Sequence, residues 1–353
     1  MKRYFVRLAF LTMIFLLCGC GMREPEHVQG IDTAMGTMIQ QNLYISDDGE
    51  DFMREILDLI VRLEEETLSW RLETSEVYRI NQAAEDGRSV QLSQELSGVV
   101  RQCLELTEDS EGAFDVTLGS VIRLWDIDSW SPDLPEGLFQ VPDEQDLRQA
   151  LALCGSSRLH AESLTDAESD AYLVLYPEEG VMLDLGAVGK GLALDYILEM
   201  LKENPDVSGA TVSVGGSVLT YGTKPDKTVW RIGVANPWDS SGNIGVLYLE
   251  GQWCVSTSGD YERYMEVGGV RYHHILDPAT GKPADSGLTS VTIVTKDGLL
   301  SDALSTACFV LGREKGIELA VKYGAEALFV ESGGEIFMTP GLEDIFYSSS
   351  TGR

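Results

Sequence analysis

The segment Leu183-Asp-Leu-Gly-Ala-Val-Gly-Lys-Gly-Leu-Ala-Leu-Asp195 places three glycines, a lysine and an aspartate at a strand-to-helix junction. Glycine at 186, 189 and 191 admits positive φ and lets a ligand approach the backbone closely. A helix starting near Val188 or Gly189 presents free N–H groups and a partial positive charge, which suits a phosphate. Lys190 adds a full charge there, and Asp184 stands just ahead of the turn. The spacing is neither that of a P-loop nor that of a dinucleotide-binding G-x-G-x-x-G turn. Two readings stay open on these residues alone: an unusual phosphate or nucleotide site, and a plain strand–helix corner.

Ser301-Asp-Ala-Leu-Ser-Thr-Ala307 opens an apolar helix in which Asp302 and Thr306 share one face, a turn apart. A carboxylate and a hydroxyl are hard oxygen donors of the kind Mg²⁺ takes, often together with substrate phosphates. The same pair also reads as a helix-start aspartate and a threonine bonded to its own backbone. His273-His274-Ile-Leu-Asp-Pro-Ala-Thr-Gly281 follows, in a chain with only 4 histidines. His274 is a proton-transfer candidate, although a structural histidine satisfies the pattern equally. Val255-Ser-Thr-Ser-Gly-Asp-Tyr-Glu-Arg263 offers three hydroxyls before a glycine, and Val214-Gly-Gly-Ser217 another site of close backbone approach. In Gly112-Ala-Phe-Asp-Val-Thr-Leu-Gly119, Asp115 and Thr117 could bond a polar heterocycle beside Phe114, and Trp70 with Met35 could wall a flat aromatic ligand. Each of these also reads as ordinary core.

The elements that must carry these residues follow from periodicity. Helical spacing predicts helices over 51–68, 93–109, 144–153, 191–203, 301–311 and 314–323. A strand is expected from Gln29 through Met35-Gly-Thr to Tyr44, and others over 172–176, 181–185, 211–214, 218–221, 229–234, 244–249 and 291–295. Residues 129–143 read as an acidic, proline-rich loop. Short turns between successive strands point to an α+β fold with mainly antiparallel sheets.

The first residues read as a targeting segment. Lys2, Arg3 and Arg7 precede the apolar run Leu8 to Leu17, too short to span a bilayer at ~20 residues but suited to a signal-peptide core. Leu17-Cys18-Gly19-Cys20 resembles a bacterial lipobox. It predicts a signal over 1–19, a lipid on Cys20 at the extracytoplasmic face of the cell membrane, a tether over 20–29 and a domain over 30–345. An ordinary secretory signal is the alternative. The net charge of −31 falls by three more when Lys2, Arg3 and Arg7 are removed. Such a surface argues against nucleic acid as a partner, and a polyanionic ligand would need a locally positive or metal-filled site. Cys103, Cys154, Cys254 and Cys308 sit in apolar contexts and read as buried thiols.

Taken in order, M-G-T, G-A-F-D-V-T-L-G, D-L-G-A-V-G-K-G, S-V-G-G-S, V-S-T-S-G-D-Y-E-R, H-I-L-D-P-A-T-G-K-P and S-D-A-L-S-T-A resemble the ApbE family of extracytoplasmic FAD:protein FMN transferases. The resemblance implies a compact, T-fold-related α+β architecture with FAD in a cleft between sheets and helices. It implies Mg²⁺ on Asp302 and Thr306 with the Ala187 carbonyl. It also implies FAD contacts from Met35, Trp70, Ala113, Phe114, Asp115, Asp184, Lys190, Ile275 and Leu276, and catalytic roles for His274 and Asp302. The implied reaction moves FMN from FAD to a threonine or serine hydroxyl of an extracytoplasmic acceptor flavoprotein of an electron-transfer system, releasing AMP. FAD hydrolysis to FMN and AMP, or flavin binding without turnover, would use the same residues. The chain departs from the common family pattern at Ser213, Ser217 and Trp70, where asparagine, asparagine or aspartate, and tyrosine are frequent.

Overall fold

The computed structural model describes residues 24–130, 139–166 and 169–349. Its frame is an eight-stranded sheet whose spatial order follows the chain: β1 (Glu26–Ala34), β2 (Thr37–Ile45), β3 (Val207–Val214), β4 (Ser217–Gly222), β5 (Trp253–Gly259), β6 (Leu288–Thr295), β7 (Glu326–Glu331) and β8 (Ile336–Met338). Every neighbouring pair is antiparallel. The helices are α1 (Gly49–Arg62), α2 (Glu76–Glu85), α3 (Gln94–Asp109), α4 (Gly119–Trp125), α5 (Glu144–Leu151), α6 (Gly189–Glu203), α7 (Gly298–Leu311) and α8 (Arg313–Lys322). All but α7 and α8 are inserted between β2 and β3. The antiparallel α+β expectation holds.

Helices α1, α6 and α7 cover one face of the sheet. A three-stranded sheet of Trp230–Asn236, Asp239–Leu249 and Phe346–Ser348 covers the other face over β5 to β7 through Trp230, Leu247, Val255, Val294 and Leu328. β6 is therefore packed from both sides, and its residues 288–294 are all buried. This is why Leu-Thr-Ser-Val-Thr-Ile-Val-Thr shows no alternation of apolar and polar positions.

Helices α6 and α7 cross in direct backbone contact. A Cβ on Gly191 would lie 2.1 Å from the Gly298 carbonyl oxygen, and one on Gly298 would lie 2.2 Å from that of Gly191. The Asp195 carboxylate, one turn along α6, accepts from Gly298 N at 2.6 Å and Leu299 N at 2.8 Å. Asp297 Oδ1 accepts from Leu300 N at 2.8 Å. Three of the open N–H groups at the start of α7 are thus satisfied, two of them from the neighbouring helix.

Several expectations change. The strand predicted from Gln29 to Tyr44 is the hairpin β1–β2, turning at Met35-Gly36. β1 begins at Glu26, inside the segment read as a tether. Residues 181–185 are buried and extended but form no strand, only an isolated bridge between Met182 and Leu118. The helix predicted over 51–68 is α-helical to Arg62 and π-helical over Leu63–Leu68. Helices α2 and α4 and the sheet strands β5, β7 and β8 were not anticipated. The predicted signal, Cys20 and residues 131–138 of the acidic loop lie outside the described residues. Cys103, Cys254 and Cys308 are buried free thiols, and Cys154 is half-buried.

Candidate functional site

A cleft of about 670 Å³ opens at one end of the sheet. There the Met35-Gly36 turn, the Gly215-Gly216 turn, the residues following β5 and the start of α6 converge. Its walls contain Met35, Trp70, Ala113, Phe114, Asp115, Asp184, Ala187, Lys190, His274, Ile275, Leu276 and Thr306. Every residue predicted to contact FAD from the family resemblance is among them, together with Ala187 and Thr306 of the predicted metal set. Asp302 lies immediately beneath, 3% exposed.

The floor of the cleft joins α6 to α7. Lys190 Nζ lies 3.1 Å from Asp302 Oδ1, across 112 residues of sequence. Gly191 N donates to Asp302 Oδ2 at 3.1 Å, and Ser217 Oγ donates to Oδ1 at 3.3 Å. Ser256 Oγ donates to Ser217 Oγ at 3.0 Å and pairs with Ser301 Oγ at 2.7 Å. This buried hydroxyl chain fixes the rotamer of the carboxylate. Ser258 pairs with Ser305 at 2.8 Å and with Thr306 at 3.3 Å. Between Ser301 and Phe309, α7 is buried on all sides except at Thr306, which opens into the cleft.

Because Gly191 N is taken by Asp302, the Ala187 carbonyl has lost its usual i+4 donor. Among the described residues no hydrogen bond reaches it. A buried carboxylate, a cleft-facing hydroxyl and an orphaned carbonyl are three hard oxygen donors, a set that fits Mg²⁺ and offers nothing to a soft metal.

The charges around this floor shape its protonation. Burial alone would lower the pKa of Lys190, but Asp302 and Glu262 outweigh it and raise it, so the amine stays charged. Glu262 is pushed up to about 7 by the surrounding protein, only partly offset by Lys190. Burial also raises the carboxyl of Asp184. His274 is held down to about 3 by burial, then by Lys190 and Arg263. Its Nδ1 lies 3.2 Å from the Arg263 carbonyl oxygen, which can only accept, so Nδ1 carries the proton and Nε2 keeps its lone pair. At the mouth, Asp128 pairs with Arg71 and lies 3.9 Å from Arg263, and the Arg71 guanidinium lies 4.5 Å from the centre of the Trp70 ring.

The ApbE family model matches residues 35–329. The chain belongs to the ApbE family. It is 34% identical over 308 residues to a FAD:protein FMN transferase of Klebsiella pneumoniae, covering 86% of this chain and 89% of that one. It is 29% identical over 348 residues to the Treponema pallidum FAD:protein FMN transferase, covering 94% and 93%. Among solved structures it resembles the Thermotoga maritima ApbE protein, with TM-score 0.77 and 32% identity over 91% of this chain and 99% of that one. It also resembles the apo Pseudomonas stutzeri flavinyl transferase ApbE, with TM-score 0.74 and 29% identity over 92% and 98%.

Within this ApbE fold some predicted residues act differently from the reading of the bare sequence. None of Gly186, Gly189 and Gly191 has positive φ. Gly191 is required by the helix crossing, and Gly186 by the Asp184 side chain, whose Oδ1 accepts from Gly186 N at 2.7 Å and holds the turn. Asp115 lines the cleft, but its Oδ1 accepts from Thr117 N and Oγ1 at 2.8 and 2.7 Å, and Oδ2 from Ser156 N at 3.2 Å. Thr117 is fully buried and does not line the cleft. Glu64, Arg71, Asp128, Glu262 and Arg263 line it and were not singled out. For Glu262 and Arg263 the signal was present, at the end of the hydroxyl-rich V-S-T-S-G-D-Y-E-R stretch. For Asp128 no local pattern marked it.

Proposed function

We infer that this ApbE protein is a FAD:protein FMN transferase, joining the FMN part of FAD to a serine or threonine hydroxyl of an acceptor protein. The observation that carries the reading is the floor of the cleft, where Lys190, the α6 N-terminus, Asp302, Thr306 and the free Ala187 carbonyl converge beside His274. The hydroxyl oxygen attacks the FMN-side phosphorus, the bond from that phosphorus to the bridging oxygen breaks, and AMP leaves with that oxygen. The hydroxyl proton passes to His274 Nε2, the one ring nitrogen with a free lone pair. His274 is a weak base because it is buried and because Lys190 and Arg263 face it. An anionic pyrophosphate beside Lys190 offsets those charges and raises the basicity of the ring as the substrate binds.

Five carboxyl residues and three basic ones line the cleft, with Asp302 behind them, so the side chains supply no surplus of positive charge. Mg²⁺ held by Asp302, Thr306 and the Ala187 carbonyl would neutralise pyrophosphate charge, the main requirement of phosphoryl transfer. Lys190 and the backbone amides at the start of α6 orient the phosphates, while Met35, Trp70 and Phe114 shape an apolar slot for the flavin. The acceptors fit redox proteins outside the cytoplasmic membrane, with this chain secreted and lipidated at Cys20. That location rests on the lipobox-like residues 17–20.

Purified protein with FAD, Mg²⁺ and a candidate acceptor domain should give an FMN adduct on the acceptor by intact mass, and chelation of the metal should stop it. Formation of free FMN and AMP at the same rate with and without acceptor would overturn the transferase assignment.

A further inference from the structure

Met35 is an unusual residue for its place. The β1–β2 hairpin pairs Ala34 with Thr37 and so turns in two residues, Met35 and Gly36, with φ of 51° and 65°. A two-residue turn with both φ values positive is the type I′ geometry, which favours asparagine, aspartate or glycine. For a methionine the left-handed conformation is unfavourable, because Cβ comes too close to the following carbonyl oxygen. The cost falls at a residue that lines the cleft, and strain of this kind persists only where the surroundings impose it.

The two-residue register of the hairpin imposes it, and Glu64 holds the turn in place from outside the hairpin. Glu64 Oε2 accepts from Met35 N at 2.9 Å, satisfying a turn amide that the hairpin ladder does not use. Glu64 stands in the π-helical turn Leu63–Leu68, which closes with a bond from Ser69 N to the Glu64 carbonyl oxygen at 3.0 Å. A π-turn admits one extra residue and rotates the chain beyond it, and such turns recur at functional sites. Here it places Glu64 and Leu68 on the cleft wall and delivers Trp70 directly after the helix. Ser69 Oγ then accepts from Arg71 N and Leu72 N, both at 3.3 Å, fixing the exit. One irregular turn therefore sets both Met35 and Trp70.

We propose that Glu64 is a positioning residue that clamps Met35 in its left-handed conformation and, with the π-helical turn, sets the flavin slot between Met35 and Trp70. This deepens the flavin-transfer reading and rests on it. The test is FAD affinity, from flavin fluorescence on titration with protein in the absence of acceptor. Glu64→Ala removes a charge-assisted bond to a turn amide and should weaken FAD binding on the order of ten- to a hundredfold. Glu64→Gln keeps an amide oxygen for Met35 N and should stay within about fivefold of wild type. Glu64→Asp keeps the charge, loses the reach and should resemble alanine. On a Met35→Gly background, where positive φ carries no penalty, Glu64→Ala should add less than about twofold. A Glu64→Ala protein that binds FAD as tightly as wild type overturns the clamp. So does an equal loss on the Met35→Gly background, because Glu64 would then act on FAD directly. If Glu64→Ala does not fold, the contrast between glutamine and aspartate decides, and equal affinities for those two overturn it. Absence of FAD binding by the wild type would instead refute the flavin reading itself.

Discussion

The pair formed by Lys190 and Asp302 offers a stability measurement independent of turnover. The two charges lie 3.1 Å apart, a gross attraction of roughly 5 kcal/mol at an effective dielectric near 20. Their environments differ: the lysine side chain is 28% exposed and the aspartate 4%. Asp302→Asn strands a lysine that can reach cleft water, and should cost about 2 kcal/mol, below the range for fully buried pairs. Lys190→Met strands a carboxylate that is almost wholly buried at the cleft floor, and should cost about 4 kcal/mol. The double variant removes both charges and should cost about 3 kcal/mol, a coupling of about 3 kcal/mol. Equilibrium urea unfolding at neutral pH, without FAD or divalent metal, measures all four corners. Lys190 has a raised pKa, so its contribution is complete below the ordinary lysine value of 10.5 and is lost only as pH rises above it. Millimolar Mg²⁺ should raise the melting temperature of Lys190→Met more than that of wild type, because the cation then meets an uncompensated carboxylate. A coupling below about 0.5 kcal/mol, or a larger loss from Asp302→Asn than from Lys190→Met, would refute the asymmetry argued from burial.

His274→Gln should lower the rate of FMN transfer on the order of a hundred- to ten-thousandfold while FAD affinity changes little, read by steady-state kinetics alongside flavin fluorescence. The pKa of His274 is depressed from 6.5 to about 3, so its share of stability is present above the upper value and lost as pH falls through the lower. Wild type should therefore lose more stability than His274→Gln between about pH 7.5 and about pH 5, measured by unfolding at each pH. Gly191→Ala puts a Cβ 2.1 Å from the Gly298 carbonyl oxygen, between two backbones, and should cost roughly 3 kcal/mol or more, seen as a fall in melting temperature or in soluble yield. Asp195→Ala frees two amides at the start of α7 and should cost roughly 1–2 kcal/mol by the same measurement, with no gain in FAD affinity.

Much of the site was legible because its parts are local. Asp302 and Thr306 share a face by helical spacing alone. The seven ordered motifs identify the family because several short matches in one order rarely coincide. Residues 181–185 misled because a buried extended segment has the same apolar run whether it joins a sheet or packs alone beneath α4. The three glycines misled in the same way. A glycine at a turn and a glycine at a helix crossing look identical in sequence, and only the approach of Gly298 shows which constraint holds at 191. Glu64 was invisible because it lies inside an apparently regular amphipathic pattern, and nothing in Leu63-Glu-Glu-Glu-Thr-Leu68 announces a π-turn.

The sequence by itself determined the local chemistry: which residues cap, turn, carry charge or repeat at helical spacing, and which family their order belongs to. The tertiary structure alone decided which of them meet. Lys190 reaches Asp302 because α6 and α7 cross at two glycines, His274 is tuned because the fold buries it beside Lys190 and Arg263, and Met35 meets Glu64 because α1 ends in a π-turn. Pairing across such separations is written in sheet register and helix packing. Those arise from burial summed over the whole core, not from the residues that use the result.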